Sequence, residues 1–294
     1  DLVDIAGLVK GASDGEGLGN AFLSNIREMT ALAHVVRCFE DQNITHVDGS
    51  VNPKRDVEVI NLELILSDLE TVTKRIAKCE KLIKTNDKNN KIQLEILLLI
   101  QKDLENGQLI NLKNFTEDEQ KIIKSFQLLS SKPMFFIGNI NDSEQSKKYI
   151  EQLNEVAKEL NTFVIPVSIK IEHEISTLEE EEKKEYLEVM GLDEPILNKI
   201  ILEGYKMLGL KTFFTAGPNE IRAWTIKDGF TAPNAAGVIH TDFERGFIKA
   251  EVIDFKDYIV NGGELGAKEN GKLRLEGKEY IVQDGDVIHF KFNV

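Results

Sequence analysis

The sequence holds only two cysteines in 294 residues, Cys38 and Cys79, which excludes a disulfide framework and fits a reducing compartment. They stand at no metal-binding spacing. The five histidines are scattered, so no histidine-built metal centre is expected. No apolar run approaches the roughly 20 residues that cross a bilayer, and the expectation is a cytoplasmic protein with no membrane partner. Positive charge is also scarce. Lys and Arg number 36 against 50 Asp and Glu, for a formal charge of −14 and a pI near 5.0. A surface-wide electrostatic grip on nucleic acid, and with it non-specific DNA binding, is excluded. Finally, the phosphate cradle G-x-x-x-x-G-K-[ST] occurs nowhere in the sequence.

What is present is a globular composition, 41% apolar with a mean hydropathy of −0.23, and enough chain for two or three domains. Asp4-Ile5-Ala6-Gly7 forms a D-x-x-G, followed by a glycine-rich run from Gly11 to Gly19. In P-loop nucleotidases such an aspartate reaches Mg²⁺, and the glycine amide meets a phosphate oxygen. The pattern is weak alone, and a flexible loop before a helix explains the same residues. The run lacks the frame of a dinucleotide fingerprint.

Three regimes follow. Residues 1–52 read as strand, glycine loop, helix and strand, with Phe22 to Met29 at helical spacing. The run Ala33–Phe39 has the apolar density of a strand buried in a parallel sheet. From Asp56 the period becomes heptad-like: Leu62, Ile65, Leu69, Val72, Ile76, Cys79 and Ile83 predict one seam on a helix of about 43 Å. A break at 85–90 leads to a second helix over 91–104, and Thr116-x-x-Glu119 is a capping box opening a third. Strand–helix alternation resumes over 132–209 with Met134–Ile137 and Phe163–Val167, so the helices of 53–131 read as a hairpin inserted into a doubly wound domain. The acidic stretch Glu179–Glu185 reads as a solvated helix face. Short strands with glycine turns fill 210–294, a separate β-rich domain in which Trp224 reads as core and no catalytic triad is laid out.

Extended motifs then meet a family. They are Asp4–Ala12, Gly15-x-Gly17-Leu18-Gly19-Asn20, Arg37–Asp41, Phe213–Gly217, Arg222–Ile226, Ala235–Gly237, Ile239–Glu244 and Tyr280-Ile281-Val282-x-Asp284-Gly285-Asp286. Together they resemble the YchF/Obg-like ATPase family of P-loop proteins along the whole chain. The resemblance implies an α/β fold: a partial G domain, an inserted antiparallel coiled-coil hairpin, and a C-terminal β-grasp (TGS) domain. It also implies that a segment carrying the phosphate loop and first switch precedes these residues.

The activity it implies is hydrolysis of ATP in preference to GTP by a ribosome-associated regulator of translation or stress. Its cofactor would be Mg²⁺, with K⁺ optional, and the hairpin or TGS domain would contact the ribosome. Residue by residue, Asp4 matches the aspartate near Mg²⁺ and Gly7 the γ-phosphate contact. Leu8 stands where related enzymes place a water-orienting glutamine, and a leucine cannot hold water by hydrogen bonds. His46 is the second catalytic candidate, as a base or water-positioner, against the alternative of a surface histidine. Phe39, Asn139, Ile140, Asp142 and Ser168 would form the base-side pocket. Asp142 alone argues for guanine, since two charge-assisted bonds at about 1.5 kcal/mol each give roughly 100-fold discrimination. Ile140 in place of the lysine of N-K-x-D, and Phe39, argue for adenine. Two alternatives stay open: a GTPase reading guanine through Asp142, and a non-catalytic docking module.

Overall fold

In the computed structural model, residues 2–5, 18–83, 88–217 and 220–293 are described; Gly7 and Leu8 therefore lie outside the described residues. The chain divides into two compact units, Asp1–Asn198 and Lys199–Val294. No helix among the described residues is long and apolar enough to cross a membrane.

The first unit carries a parallel three-stranded sheet, β1 (Leu32–Arg37), β2 (Met134–Asn139) and β3 (Val164–Val167), in the order β1-β2-β3. Central β2 is a continuous apolar run with Phe135 to Gly138 all buried. Strands β2 and β3 are joined through α5 (Glu144–Glu159), whose Tyr149, Leu153, Val156 and Ala157 pack with Val36, Cys38 and Phe136. That is a βαβ unit, the crossover a parallel pair requires. Strand β1 departs from the two-sided burial its sequence predicts. Val36 is 2% exposed, but its neighbour Val35 is 52% exposed. The cause is one-sided cover: the helices bury the face carrying Val36, while Ala33 and Val35 face the other way.

Between β1 and β2 lies the helical hairpin. Helix α2 spans Pro53–Ile83, α3 Lys88–Glu105 and α4 Glu117–Phe126. The capping box at α4 is complete, with Thr116 Oγ1 accepting from Glu119 N and Thr116 N donating to Glu119 Oε2 at 2.8 Å. Ile65, Val72, Ile76 and Cys79 bury against Ile96, Leu97, Ile100 and Leu104, with Leu69 packed beside them. Leu62 is 51% exposed and does not belong to this seam. Helix α2 has 31 residues and α3 only 18. Counted back from the turn, α3 ends level with about residue 66, so Leu62 lies past its reach. There α2 turns other residues inward: Val57 joins the β1/α5 core, and Leu64 packs with Leu23 and Ile26 of α1 (Leu18–Glu28) and with Leu129. The arm is continuous with the α/β core at its base.

The second unit has a five-stranded mixed sheet in the order β5-β4-β8-β6-β7. Its strands are β4 (Leu210–Ala216), β5 (Ile221–Lys227), β6 (Phe247–Asp254), β7 (Arg274–Glu276) and β8 (Asp286–Phe292), with the central pair β4·β8 parallel. Relative to the unit's own first strand the order is 2-1-5-3-4, with α9 (Ala232–Ile239) crossing after the first hairpin, which is the β-grasp topology. The first helix of the unit's core supplies Ala232, Ala235 and Ala236 to Phe213, Val252, Ile288 and Phe290. Trp224 packs on this core through one edge; its Nε1 donates to Thr215 Oγ1 at 2.9 Å and Arg222 lies over its ring. Buried Asp286 accepts from Tyr280 Oη at 2.7 Å and Gln283 N at 2.9 Å, and burial together with that carboxylate pushes the Tyr280 phenol up to about 12. Those bonds account for the Asp-Gly-Asp motif structurally, with Asp284 Oδ1 accepting from Thr212 N.

Candidate functional site at the strand ends

In an open parallel sheet the ligand crevice lies beyond the carboxyl ends of the strands. Here those ends are laced together. Cys38 N donates to Asn139 O at 2.8 Å, and Ile140 N to Val167 O at 2.9 Å. The Asn139 side chain reaches across, its Oδ1 accepting from Ile169 N at 3.3 Å, directly after Ser168. Ser168 itself caps α6 (Ile169–Ser176), its Oγ accepting from Ile171 N. Thus Asn139, Ile140 and Ser168 are neighbours on adjoining strand ends, and Phe39 follows two residues after β1 ends.

The loop carrying Asp142 is held from both sides. Asn141 Oδ1 accepts from Ser143 Oγ at 2.6 Å and Ser146 Oγ at 2.7 Å, and Ser143 caps α5. Asp142 is exposed between them. Phe39 has one ring face covered by the Arg37 guanidinium, 4.8 Å from the centroid. Arg37 also donates to the carbonyls of Phe39, Asp41 and Ile44, so one side chain shapes the whole 39–44 turn.

Asp4 and His46 sit elsewhere, on a cavity of about 820 Å³ beside β1. Asp4, Ile5, His34, Arg37, His46 and Asp56 are among its lining residues, whereas Phe39, Asn139, Ile140, Asp142 and Ser168 are not. The sequence candidates therefore fall into two groups. Asp4 is exposed, and its carboxylate offers a hard oxygen ligand.

His46 is neither a surface histidine nor an unengaged base. Its Nδ1 accepts from Asp48 N at 3.2 Å, which fixes the neutral ring as the Nε2–H tautomer, and Nε2 faces Asp56 Oδ2 at 3.0 Å. Arg55 completes the group by pairing with Asp56 Oδ1 at 3.0 Å and Asp48 at 3.6 Å. Both ring nitrogens are thus committed to ordering the loop before α2. His46, Asp48 and Asp56 bring their ligand atoms within 4.8 Å of one another, but both carboxylates are already paired with Arg55.

Three further polar residues have no motif in the sequence, and of these Asp68 and Arg27 stand outside the cavity lining. His34, on β1, lines the cavity with its Nδ1 unpartnered and its ring tilted on Phe136; burial holds its pKa down to about 4, opposed by Asp56. Asp68 is fully buried in α2 and accepts from Leu129 N, Ser130 N and Ser130 Oγ at 2.6–2.9 Å. Arg27 ends α1. The one available signal was Ser67-Asp68, a polar pair on the inward side of an apolar stripe.

A parallel α/β sheet with its candidate base-side residues at the carboxyl ends, interrupted by a helical arm and followed by a β-grasp unit, defines a protein of the Obg-like, P-loop GTPase fold class. Comparison with known proteins narrows this. The YchF-GTPase_C model, described as a protein of unknown function (DUF933), matches residues 210–293. The "Ribosome-binding ATPase YchF" of Bacillus subtilis is 52% identical over 298 residues, covering all of this chain and 81% of that protein. The protein of that name from Escherichia coli O157:H7 is 51% identical with the same coverage. The chain belongs to the YchF family. Among solved structures, the Schizosaccharomyces pombe YchF GTPase matches with a TM-score of 0.78 and 36% identity, covering 98% of this chain and 79% of that one. A GTP binding protein from Pyrococcus horikoshii OT3, 18% identical with a TM-score of 0.56, shares the fold over 92% of this chain and 81% of its own.

Proposed function

We propose that this chain carries the switch-side and base-reading residues of a cytoplasmic, ribosome-associated nucleotidase that hydrolyses ATP in preference to GTP. One observation carries the reading: Asn139 and Ile140 are hydrogen-bonded to Ile169 and Val167, the two residues flanking Ser168, at adjoining carboxyl ends of a parallel sheet, with the Asp142 loop pinned beside them. The names of the bacterial relatives, ribosome-binding ATPases, support the substrate and partner. The fission yeast relative is titled a GTPase, so the base is the point to test.

Adenine is favoured by chemistry at two positions. Ile140 offers an apolar edge where a lysine would pack along a guanine pocket, and Phe39 offers the ring face that Arg37 leaves uncovered. Asp142 opposes this by its capacity to accept from guanine N1–H and the 2-amino group. The preference for ATP is therefore narrower than a Glu at that position would give. Asp4 is the Mg²⁺ ligand in this reading, through its exposed carboxylate. When bound, Mg²⁺ neutralises charge on the β- and γ-phosphate oxygens. Leu8 takes no part in holding the attacking water by hydrogen bonds, so intrinsic turnover is slow. His46 acts in this reading by ordering the loop beside the site. The helical arm and the β-grasp unit supply the ribosome contact.

The test is a titration of the intact protein with labelled ATP and GTP. Tighter ATP binding is expected, and Asp142→Ala should widen the margin by weakening GTP alone. GTP binding tenfold or more tighter than ATP would overturn the assignment and make Asp142 a guanine reader.

A further inference from the structure

We infer that the C-terminal end of α1 is a latch joining the switch side of the site to the helical arm, so that the bound nucleotide sets the arm's position. The inference rests on the nucleotidase reading, which makes Asp4 a nucleotide-side residue.

Its first part is an apolar socket. Ile5, the neighbour of Asp4, packs with Phe22 and Leu32 against Leu23 and Ile26 of α1, Leu64 of α2 and Leu129 after α4. Apolar contact is non-directional and by itself lets helices slide. The second part supplies direction. Arg27 Nη2 donates to Ser67 Oγ at 3.1 Å and Thr71 Oγ1 at 3.3 Å on α2, and Nη1 to the Gln127 carbonyl at 3.4 Å, the C-cap of α4. One guanidinium thereby ties α1 to two arm helices with planar, fixed-angle donors. The third part works in reverse. Lys132 Nζ donates back to the Arg27 carbonyl at 3.0 Å and to the Met29 carbonyl, filling acceptors that the end of a helix leaves open. Asp68 grips the same connector from α2 through Leu129 and Ser130.

Residues 127–133 are thus held on one side by α1 and on the other by the base of the arm. Close-packed interiors transmit displacement because they do not compress. A shift of α1 when the γ-phosphate contact forms or is lost must then move α2 with it, or break this set of bonds.

Pulsed electron spin resonance on the intact protein tests this, with spin labels at Lys81→Cys on α2 and Glu151→Cys on α5, both exposed positions. The native cysteines are buried. The inter-label distance is read with a non-hydrolysable ATP analogue and with ADP, and calorimetric titration confirms that each is bound. A distance change between the two states is expected, abolished in Arg27→Ala and in Ser67→Ala/Thr71→Val with nucleotide affinity retained. The double variant removes only the arm-side partners of Arg27, so it holds the test should Arg27→Ala unfold. A change that persists undiminished in the folded variants overturns the latch, as does the absence of any change while both nucleotides bind. Failure to bind nucleotide at all overturns the nucleotidase reading and the latch built on it.

Discussion

His34 shows how one residue makes stability depend on pH. Enclosed against Phe136 with Nδ1 unpartnered, it is held neutral, its pKa lowered to about 4 by burial while Asp56 pulls the other way. In the unfolded chain an imidazole titrates near 6.5. The stabilising difference is therefore fully present above about pH 6.5 and is lost as pH falls toward 4, where only the unfolded state gains the proton. The limiting loss is at most about 3.5 kcal/mol, because a tenfold difference in proton affinity between the two states is worth ~1.4 kcal/mol. His34→Gln has no such titration. Thermal midpoints at pH 7.5 and 5 should fall further for the native chain than for the variant; parallel falls would clear His34 of the effect. Asp68 is the second residue of consequence. Three donors converge on a carboxylate that burial would otherwise discharge. Asp68→Ala leaves buried amides unsatisfied and should cost about 2–4 kcal/mol in a denaturant titration, whereas a loss under 1 kcal/mol would mean water replaces the carboxylate.

At the scale of elements, α2 does two jobs along one length. Toward its C-terminal half it offers Val72, Ile76 and Cys79 to α3; toward its start it offers Val57 and Leu64 to the α/β core. The seam and the base therefore respond differently to truncation. Ile100→Ala opens a cavity in the fully buried seam and should cost about 2–5 kcal/mol. Leu62→Ala, past the end of α3 and half exposed, should stay within about 0.5 kcal/mol. Equal losses at the two positions would show that Leu62 is covered in solution.

For the whole molecule, the buried clusters matter most: each lies within one compact unit. A core lesion should then lower one unfolding transition and leave the other. Gly266 offers a clean lesion in the second unit, because a Cβ there would stand 1.9 Å from the Asn261 carbonyl oxygen, a backbone atom that cannot rotate away. Gly266→Ala should destabilise the β-grasp unit by about 2–4 kcal/mol, while Ile100→Ala acts on the first unit alone. Scanning calorimetry separates these outcomes; both substitutions lowering a single shared transition would show that the two units unfold as one.

Local chemistry was legible from the sequence because it depends on neighbours along the chain. The Thr116–Glu119 capping box, the β2 run, the solvated acids opening α7 (Glu180–Met190) and the change of period at the arm each follow from dihedral preference or face periodicity, and all appear in the structure. The family, too, could be read from motifs alone. The sequence did not determine which faces meet across distance. Leu62 and Leu64 are chemically equivalent, and only the shorter length of α3 exposes the first while α1 covers the second. Val35 and Val36 are equally apolar, yet one-sided helix cover separates them. His46 gained its partners from a loop folded back on α2, and Arg27, Asp68 and Lys132 became one group only when residues some 40 to 105 apart in sequence were brought together. Such groupings depend on chain closure and packing, which one-dimensional spacing does not encode.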